Sequence, residues 1–181
     1  GQNVKLTFMA FFIRACCVAL RKIPVVNSSF DHVNSVINYK NFINIGVAVD
    51  TPAGLMVPVI FNADQKSILK IAMEVVDLAN RARTHKLKLS EMKGGTFTIS
   101  NYGSVGIEFA TPVINYPEVA ILGVGSIVKK PIINQSGQVV AGSVVPLSLT
   151  IDHRVIDGAD GARFLSVLIN LLETPTKLLL V

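Results

Sequence analysis

The stretch SLTIDHRVIDGADGARF, Ser148 to Phe164, sets His153 between Asp152 and Arg154, with Asp157 and Gly158 following. An imidazole titrates near about 6.5, so it can accept a proton at neutral pH and return it. His153 is therefore a candidate general base for a thiol or a hydroxyl. The spacing to Asp157 would place both side chains on one face of a helix. Gly158 and the apolar run ahead of the histidine argue instead for a loop at a strand end, a common place for catalytic groups. An ordinary core or surface-loop histidine fits these residues equally well, and the stretch alone does not choose.

Other chemistries fit less well. His32 and His85 sit in polar segments with no ligand spacing to Asp152, His153 or Asp157. There is no cysteine cluster and no His-x-x-x-His pair, so no metal site is expected. A Ser-His-Asp hydrolase would need a G-x-S-x-G elbow, but NYGSVG has its glycines elsewhere and Ser104 reads as a turn residue. The same segment lacks the closing Gly-Lys-Ser/Thr of a phosphate loop.

A base on a loop needs a frame. The 181 residues suffice for one sizeable core. Hydrophobic residues make up 50% and charged residues 16%, a balance that points to apolar surface buried against other copies of the chain. The net charge of +5 is spread out, and the densest basic run, RARTHKLKLSEMK, reads as a solvated helix end. With 7% aromatic residues and no Trp, this is not the pattern of a nucleic-acid binder. A mild positive field would still draw an anionic thiol substrate. Adjacent Cys16 and Cys17 do not suit an ordinary disulfide and point to a reducing compartment. No flanking charge marks either as a nucleophile. The apolar run KLTFMAFFIRACCVALRK is broken by Arg14, so no membrane span is expected. Residue 1 is Gly, which suggests a fragment.

Phe8, Phe11, Phe12, Ala15, Val18 and Ala19 predict a helix over about 7–22, ended by Pro24. Strands are predicted at VVNSSFD, NIGVAVD and GLMVPVI, with Pro58 marking an edge or a bulge in the last. Ile68, Ile71, Ala72, Val75, Leu78, Ala79 and Ala82 predict a second helix with Ser67 as its cap. GGTFTISNYGSVG reads as a strand entering a turn, EVAILGVGSI as a strand, and residues 136–138 as a turn between two strands. SVVPLSLTID is the strand that delivers the histidine. A third helix spans about 159–173, and TPTKLLLV closes with a short helical turn. Three helices and seven or eight strands, not strictly alternating, predict an α+β domain with a mixed sheet flanked by helices.

DHRVIDGADGARFL resembles the active-site signature of the dihydrolipoamide acyltransferases, the cores of 2-oxo acid dehydrogenase complexes. It is shared more loosely with chloramphenicol acetyltransferase. KLTFMAFFIRACCVAL, NIGVAVDTPAGLMVPVI, GGTFTISNYGS and TPVINYPEVAILGVGSI resemble blocks of the same catalytic domain, in the same order and over essentially the whole chain, 1–181.

The resemblance implies a chloramphenicol-acetyltransferase-like fold and transfer of an acyl group between a lipoyl dithiol and coenzyme A, which enter one channel from opposite ends. It implies that His153 deprotonates the attacking thiol and that Ser100 donates to the oxyanion. It implies that Asp157 holds the loop by pairing with Arg154, that Gly158 permits the close turn, and that Asn101 orients Ser100 or the substrate. The histidine and the hydroxyl would come from neighbouring chains of a homotrimer, and trimers would build an octahedral or icosahedral core. The C-terminal KLLLV, apolar and exposed on a lone chain, would dock into a neighbouring trimer. Partners would be the lipoyl domain and the dehydrogenase subunits, with no nucleic acid and no membrane. The compartment would be the bacterial cytoplasm or, alternatively, the mitochondrial matrix. ADQKSILKIAMEV and SEMKG look most like the acetyl-transferring members of pyruvate dehydrogenase complexes. A branched-chain acyltransferase, a non-catalytic core scaffold and a small-molecule O-acetyltransferase are the alternatives. Two departures stand out. Ile107 follows Gly106 where the family often has a second glycine, which puts turn and channel contacts in question. The family's N-terminal segment, lipoyl domain and subunit-binding domain are not represented, so the domain is expected to be N-terminally incomplete.

Overall fold

Residues at three- and four-residue spacing give α1 (Phe8–Lys22) one apolar face, and Phe12, Ala15, Cys16 and Ala19 on it are buried. Arg14 is accommodated because its guanidinium donates to the Asp64 carbonyl at 2.7 Å. Arg21 pairs with the Asp64 carboxylate at 2.5 Å. The structure, a computed structural model, describes residues 6–134 and 136–179.

After α1 come β1 (Ser28–Asp31), β2 (Val36–Tyr39), β3 (Ile45–Thr51), β4 (Gly54–Met56) and β5 (Val59–Ile60). Then follow α2 (Ile68–Arg83), β6 (Phe97–Asn101), β7 (Ala120–Val124), β8 (Val128–Ile133), β9 (Val139–Val144), β10 (Leu147–Ile151) and α3 (Gly158–Glu173). Strands β3, β6 and β7 run parallel at the centre of a six-stranded sheet of order β10-β7-β6-β3-β4, with β5 also paired to β3. The outer pairings are antiparallel, so the sheet is mixed, as expected. β1–β2 and β8–β9 are separate antiparallel hairpins.

The core lies on one face of the sheet. Alternate residues Ile45, Val47 and Val49 of β3, and Phe97 and Ile99 of β6, are buried, and the Phe97 and Phe164 rings meet at 5.4 Å between β6 and α3. α1 packs against both α2 and α3. Ser67 caps α2, its hydroxyl accepting from the Lys70 N–H at 3.2 Å. The other face of β6 carries Thr98 and Ser100, the small polar side the site uses.

Several boundaries differ from expectation. VVNSSFD is a strand only from Ser28, because Pro24–Val26 forms a 3-10 turn. The Asn-rich stretch after it contains β2, whose residues lack alternation because most are exposed. GLMVPVI is two strands: Pro58 has no N–H for a ladder, and β3 pairs with β4 on one side of the break and β5 on the other. SVVPLSLTID is likewise split at Pro146 between β9 and β10. The expected exposure of the C-terminal leucines is corrected at Leu178, which is 2% exposed against the core, while Leu180 and Val181 lie outside the described residues.

Candidate active site

β10 delivers His153. Its last pair is Ile151 with Ala120, and the Asp152 N–H then donates to the Val119 carbonyl at 2.8 Å. The chain turns at once, as Val155 and Ile156 N–H both donate back to the Asp152 carbonyl at 3.0 Å. Ile156 is fully buried, so the turn is pinned at both ends and His153 projects to solvent at its crest. His153 makes no side-chain hydrogen bond among the described residues. It is not a core histidine: a ring held by a fixed turn, yet accessible, is free to exchange protons with a substrate.

The acidic neighbours take roles different from those expected. Arg154 pairs with Asp152, not Asp157: Nε and Nη2 reach the Asp152 carboxylate at 2.9 and 2.6 Å. The guanidinium also lies 4.9 Å from the centre of the Phe30 ring. Hydrogen bonding from Arg154 holds the Asp152 carboxyl below its ordinary range. Asp157 is the N-cap of α3, accepting from the Asp160 N–H at 2.8 Å. Its carboxylate therefore ties the turn to a helix start and not to Arg154. Gly158 is the first residue of that helix, and a Cβ there would meet open space, so the close turn expected of it is not what the residue supplies.

Ser100 and Asn101 end β6 at the far side of the sheet. They line a cavity of about 710 Å³ together with Ala48, Asp50, Arg83 and Tyr102. The Ser100 hydroxyl makes no hydrogen bond to another described residue and is half-buried. Tyr102, whose role the sequence did not signal, folds back over Gly123. A Cβ at Gly123 would sit 2.6 Å from the tyrosine ring, which explains the glycine in the middle of β7. The Tyr102 hydroxyl donates to the Ala110 carbonyl at 3.3 Å and lies 3.1 Å from Ser148 Oγ. Ile107 causes no strain, because the left-handed position is Gly106 (φ 86°), and Ser126 N–H donates to the Ile107 carbonyl at 3.0 Å.

Register separates the two functional groups. Ser100 is level with Gly123, while β10 leaves the sheet at Ala120, two strands away. That offset is about 10 Å along the strands and about 10 Å across them before the turn carries His153 further. Within one chain, imidazole and hydroxyl cannot act on the same atoms.

Among the described residues no cluster of His, Cys, Asp and Glu could hold a metal ion, and no helix is long and apolar enough to cross a membrane. Cys16 and Cys17 are buried free thiols. Arg14 and Arg21 do lower the Cys17 pKa, contrary to the expectation of no flanking charge, but burial dominates and pushes it up to about 12. Neither thiol is poised as a nucleophile.

Residues 1–180 match the family described as 2-oxoacid dehydrogenases acyltransferase (catalytic domain). The dihydrolipoyllysine-residue acetyltransferase component of the Acholeplasma laidlawii pyruvate dehydrogenase complex is 50% identical over 180 residues, 99% of this chain and 33% of that protein. The corresponding Staphylococcus aureus protein is 49% identical, over 99% of this chain and 41% of its own length. The chain thus spans a third to two fifths of such relatives. Among solved structures, the Azotobacter vinelandii dihydrolipoamide acetyltransferase aligns with a TM-score of 0.93 at 43% identity, over 98% of this chain and 72% of that one. That structure addressed the roles of a serine, a histidine and an asparagine in catalysis. The asparagine stands four positions after the histidine, the spacing at which this chain has Asp157. The cubic core of a pyruvate dehydrogenase multienzyme complex aligns equally well, with a TM-score of 0.93 at 44% identity over the same shares. Chloramphenicol acetyltransferase, at 16% identity and a TM-score of 0.59, shares the fold. By its sequence and its fold, this chain belongs to the 2-oxo acid dehydrogenase acyltransferases, as a catalytic domain of that family.

Proposed function

We propose that this domain transfers an acetyl group between a dihydrolipoyl arm and coenzyme A, and that it forms part of the core of a pyruvate dehydrogenase complex. The observation that carries the proposal is the separation of Ser100 from His153. Each chain offers two half-sites at opposite ends of one sheet, an arrangement that becomes productive when a neighbouring copy supplies the other half. A homotrimer closes this head-to-tail contact. The cubic core described for a relative supports further assembly of such units, and the relatives' names favour acetyl over branched-chain transfer.

The chemistry follows from the two half-sites. His153 takes the proton from the coenzyme A thiol, and the thiolate attacks the carbonyl carbon of the acetyl-dihydrolipoyl thioester. The carbonyl electron pair moves to oxygen, and the Ser100 hydroxyl donates to that oxyanion. Collapse re-forms the carbonyl and breaks the bond to the lipoyl sulfur, which leaves with the proton that His153 returns. Neither substrate needs a metal in this scheme. Asp157 holds the histidine turn through its cap, and Asn101 borders the cavity beside Ser100. Retention of both His153 and Ser100 argues against a non-catalytic scaffold. Buried free thiols and bacterial relatives support the bacterial cytoplasm as the compartment, and the relatives' naming as components of pyruvate dehydrogenase complexes supports the lipoyl domain and dehydrogenase subunits as partners.

The test is acetyl transfer from acetyl-CoA to free dihydrolipoamide, measured on the natural full-length protein and its His153→Ala variant. Loss of at least about a hundredfold in the variant supports the base. An inert wild-type assembly, or a variant that matches it, overturns the catalytic reading.

A further inference from the structure

Glu118 is 6% exposed, one residue before the strand segment that receives the histidine turn. Its carboxyl has few partners. Asn115 Nδ2 donates to Oε1 at 3.4 Å, Thr98 Oγ1 approaches without the geometry of a full hydrogen bond, and Oε2 is buried with no partner among the described residues. The charged or titratable groups of the neighbouring segments are Asp31 at the end of β1, Lys93 before β6, and Asp152, His153 and Arg154 on the turn. None of them hydrogen-bonds or ion-pairs with it. Gly95 exists because of this carboxyl: a Cβ there would lie 2.7 Å from Oε1.

Three strands meet at this position. Ser29 of β1 forms an isolated antiparallel bridge with Glu118, and the next residue, Phe30, is the ring under Arg154. Val119, the next residue on the other side, accepts the Asp152 N–H. The side chain itself points to the start of β6, against Gly95 and Thr98. We propose that Glu118 is a positioning residue for the His153 turn, its buried carboxyl wedged against Gly95 and Thr98 and so locking, by packing, the start of β6 to the bridge from which both Asp152 and the Phe30–Arg154 stack are held. This rests on the proposed acyl transfer only for its consequence, not for its geometry.

Burial with no cation pushes the carboxyl pKa up to about 7, so the lock is tightest when Glu118 carries its proton. Ionisation places an under-solvated charge at the node and loosens it. Glu118→Gln keeps a neutral group of the same shape, whereas Glu118→Ala removes the lock.

The experiment is hydrogen exchange of the Asp152, Val155 and Ile156 amides in the full-length protein, alongside transfer kinetics from pH 6 to 8.5. Expected for Glu118→Ala is at least tenfold faster exchange at these three amides, with kcat lowered about tenfold or more and KM for coenzyme A unchanged. Glu118→Gln should match wild type at pH 6. At pH 8.5 it should exchange more slowly than wild type, once intrinsic base-catalysed exchange is divided out. Unchanged exchange in Glu118→Ala overturns the proposal. If that variant does not assemble, identical pH dependence of wild type and Glu118→Gln overturns it. An inert wild type with altered exchange in the variants removes the acyl-transfer reading and leaves the positioning role standing.

Discussion

In the proposed transfer His153 moves the proton, while Asp157, the N-cap of α3, ties its turn to the helix. An N-cap carboxylate is replaceable by an amide, since Asn and Asp satisfy the free N–H groups of a helix start about equally. Asp157→Asn is therefore expected to keep both stability and transfer activity within a few-fold, whereas Asp157→Ala loses about 0.5–2 kcal/mol in denaturant unfolding as α3 loses its cap. An equal loss in both variants would mean that the charge, not the cap, matters. At the other half-site, Ser100→Ala should lower kcat by about 10²–10³ with little change in KM, the signature of a donor used only in the transition state. The sequence signalled the histidine through its acidic and basic setting. It did not signal Glu118 or Tyr102, because their roles come from what folds over them: a carboxyl against Gly95 and a ring against Gly123.

The helices and the sheet hold these residues through a single apolar layer. Phe164 is fully buried against Phe97, and Phe164→Ala is expected to cost about 3–5 kcal/mol in denaturant unfolding. The node at the start of β7 gives a pH dependence of stability with a definite sign. The folded-state pKa of Glu118, about 7, lies above its reference value of 4.5. Between these values the folded chain binds more protons than the unfolded chain, so stability falls as pH rises through that window and levels off above about 7. The Glu118→Gln variant lacks this loss, and its melting temperature relative to wild type should rise from pH 5 to pH 8, by the equivalent of at most about 3 kcal/mol. A difference that stays constant across the window would mean that the carboxyl does not titrate there. Helix limits were legible because apolar spacing and the Ser67 cap are local signals. β2 and the interruption at Pro146 were not, and Pro58 signalled an edge or a bulge but not two strands, since strand identity there depends on which partner edge is within reach.

Assembly decides whether the two half-sites become one. If His153 and Ser100 act across neighbouring chains, two inactive variants should rescue each other. Full-length His153→Ala and Ser100→Ala proteins, dissociated and reassembled together in equal amounts, should regain activity at about a quarter of the sites, because each interface draws one partner at random from each side. No recovery in particles of native size would place both groups in a site within one chain, against the register of β6, β7 and β10. The high apolar content has a visible outlet: Phe8, Phe109, Val113, Ile133 and Val139 are all exposed large hydrophobics on the single chain. Such surface is expected to be covered in the assembled particle.

Read alone, the chain settles the α+β class, the helices, the family, and the histidine on a loop at a strand end. Each of these is written in local periodicity or in a contiguous motif. The tertiary structure decided which acid serves which role, since Asp152 and Asp157 both lie within a few residues of Arg154 and only the turn commits one to the guanidinium and the other to a helix end. It also decided that Ser100 and His153 stand at opposite ends of the sheet. Strand order and register set that distance, and both arise from pairings between residues far apart in sequence, which no local pattern encodes.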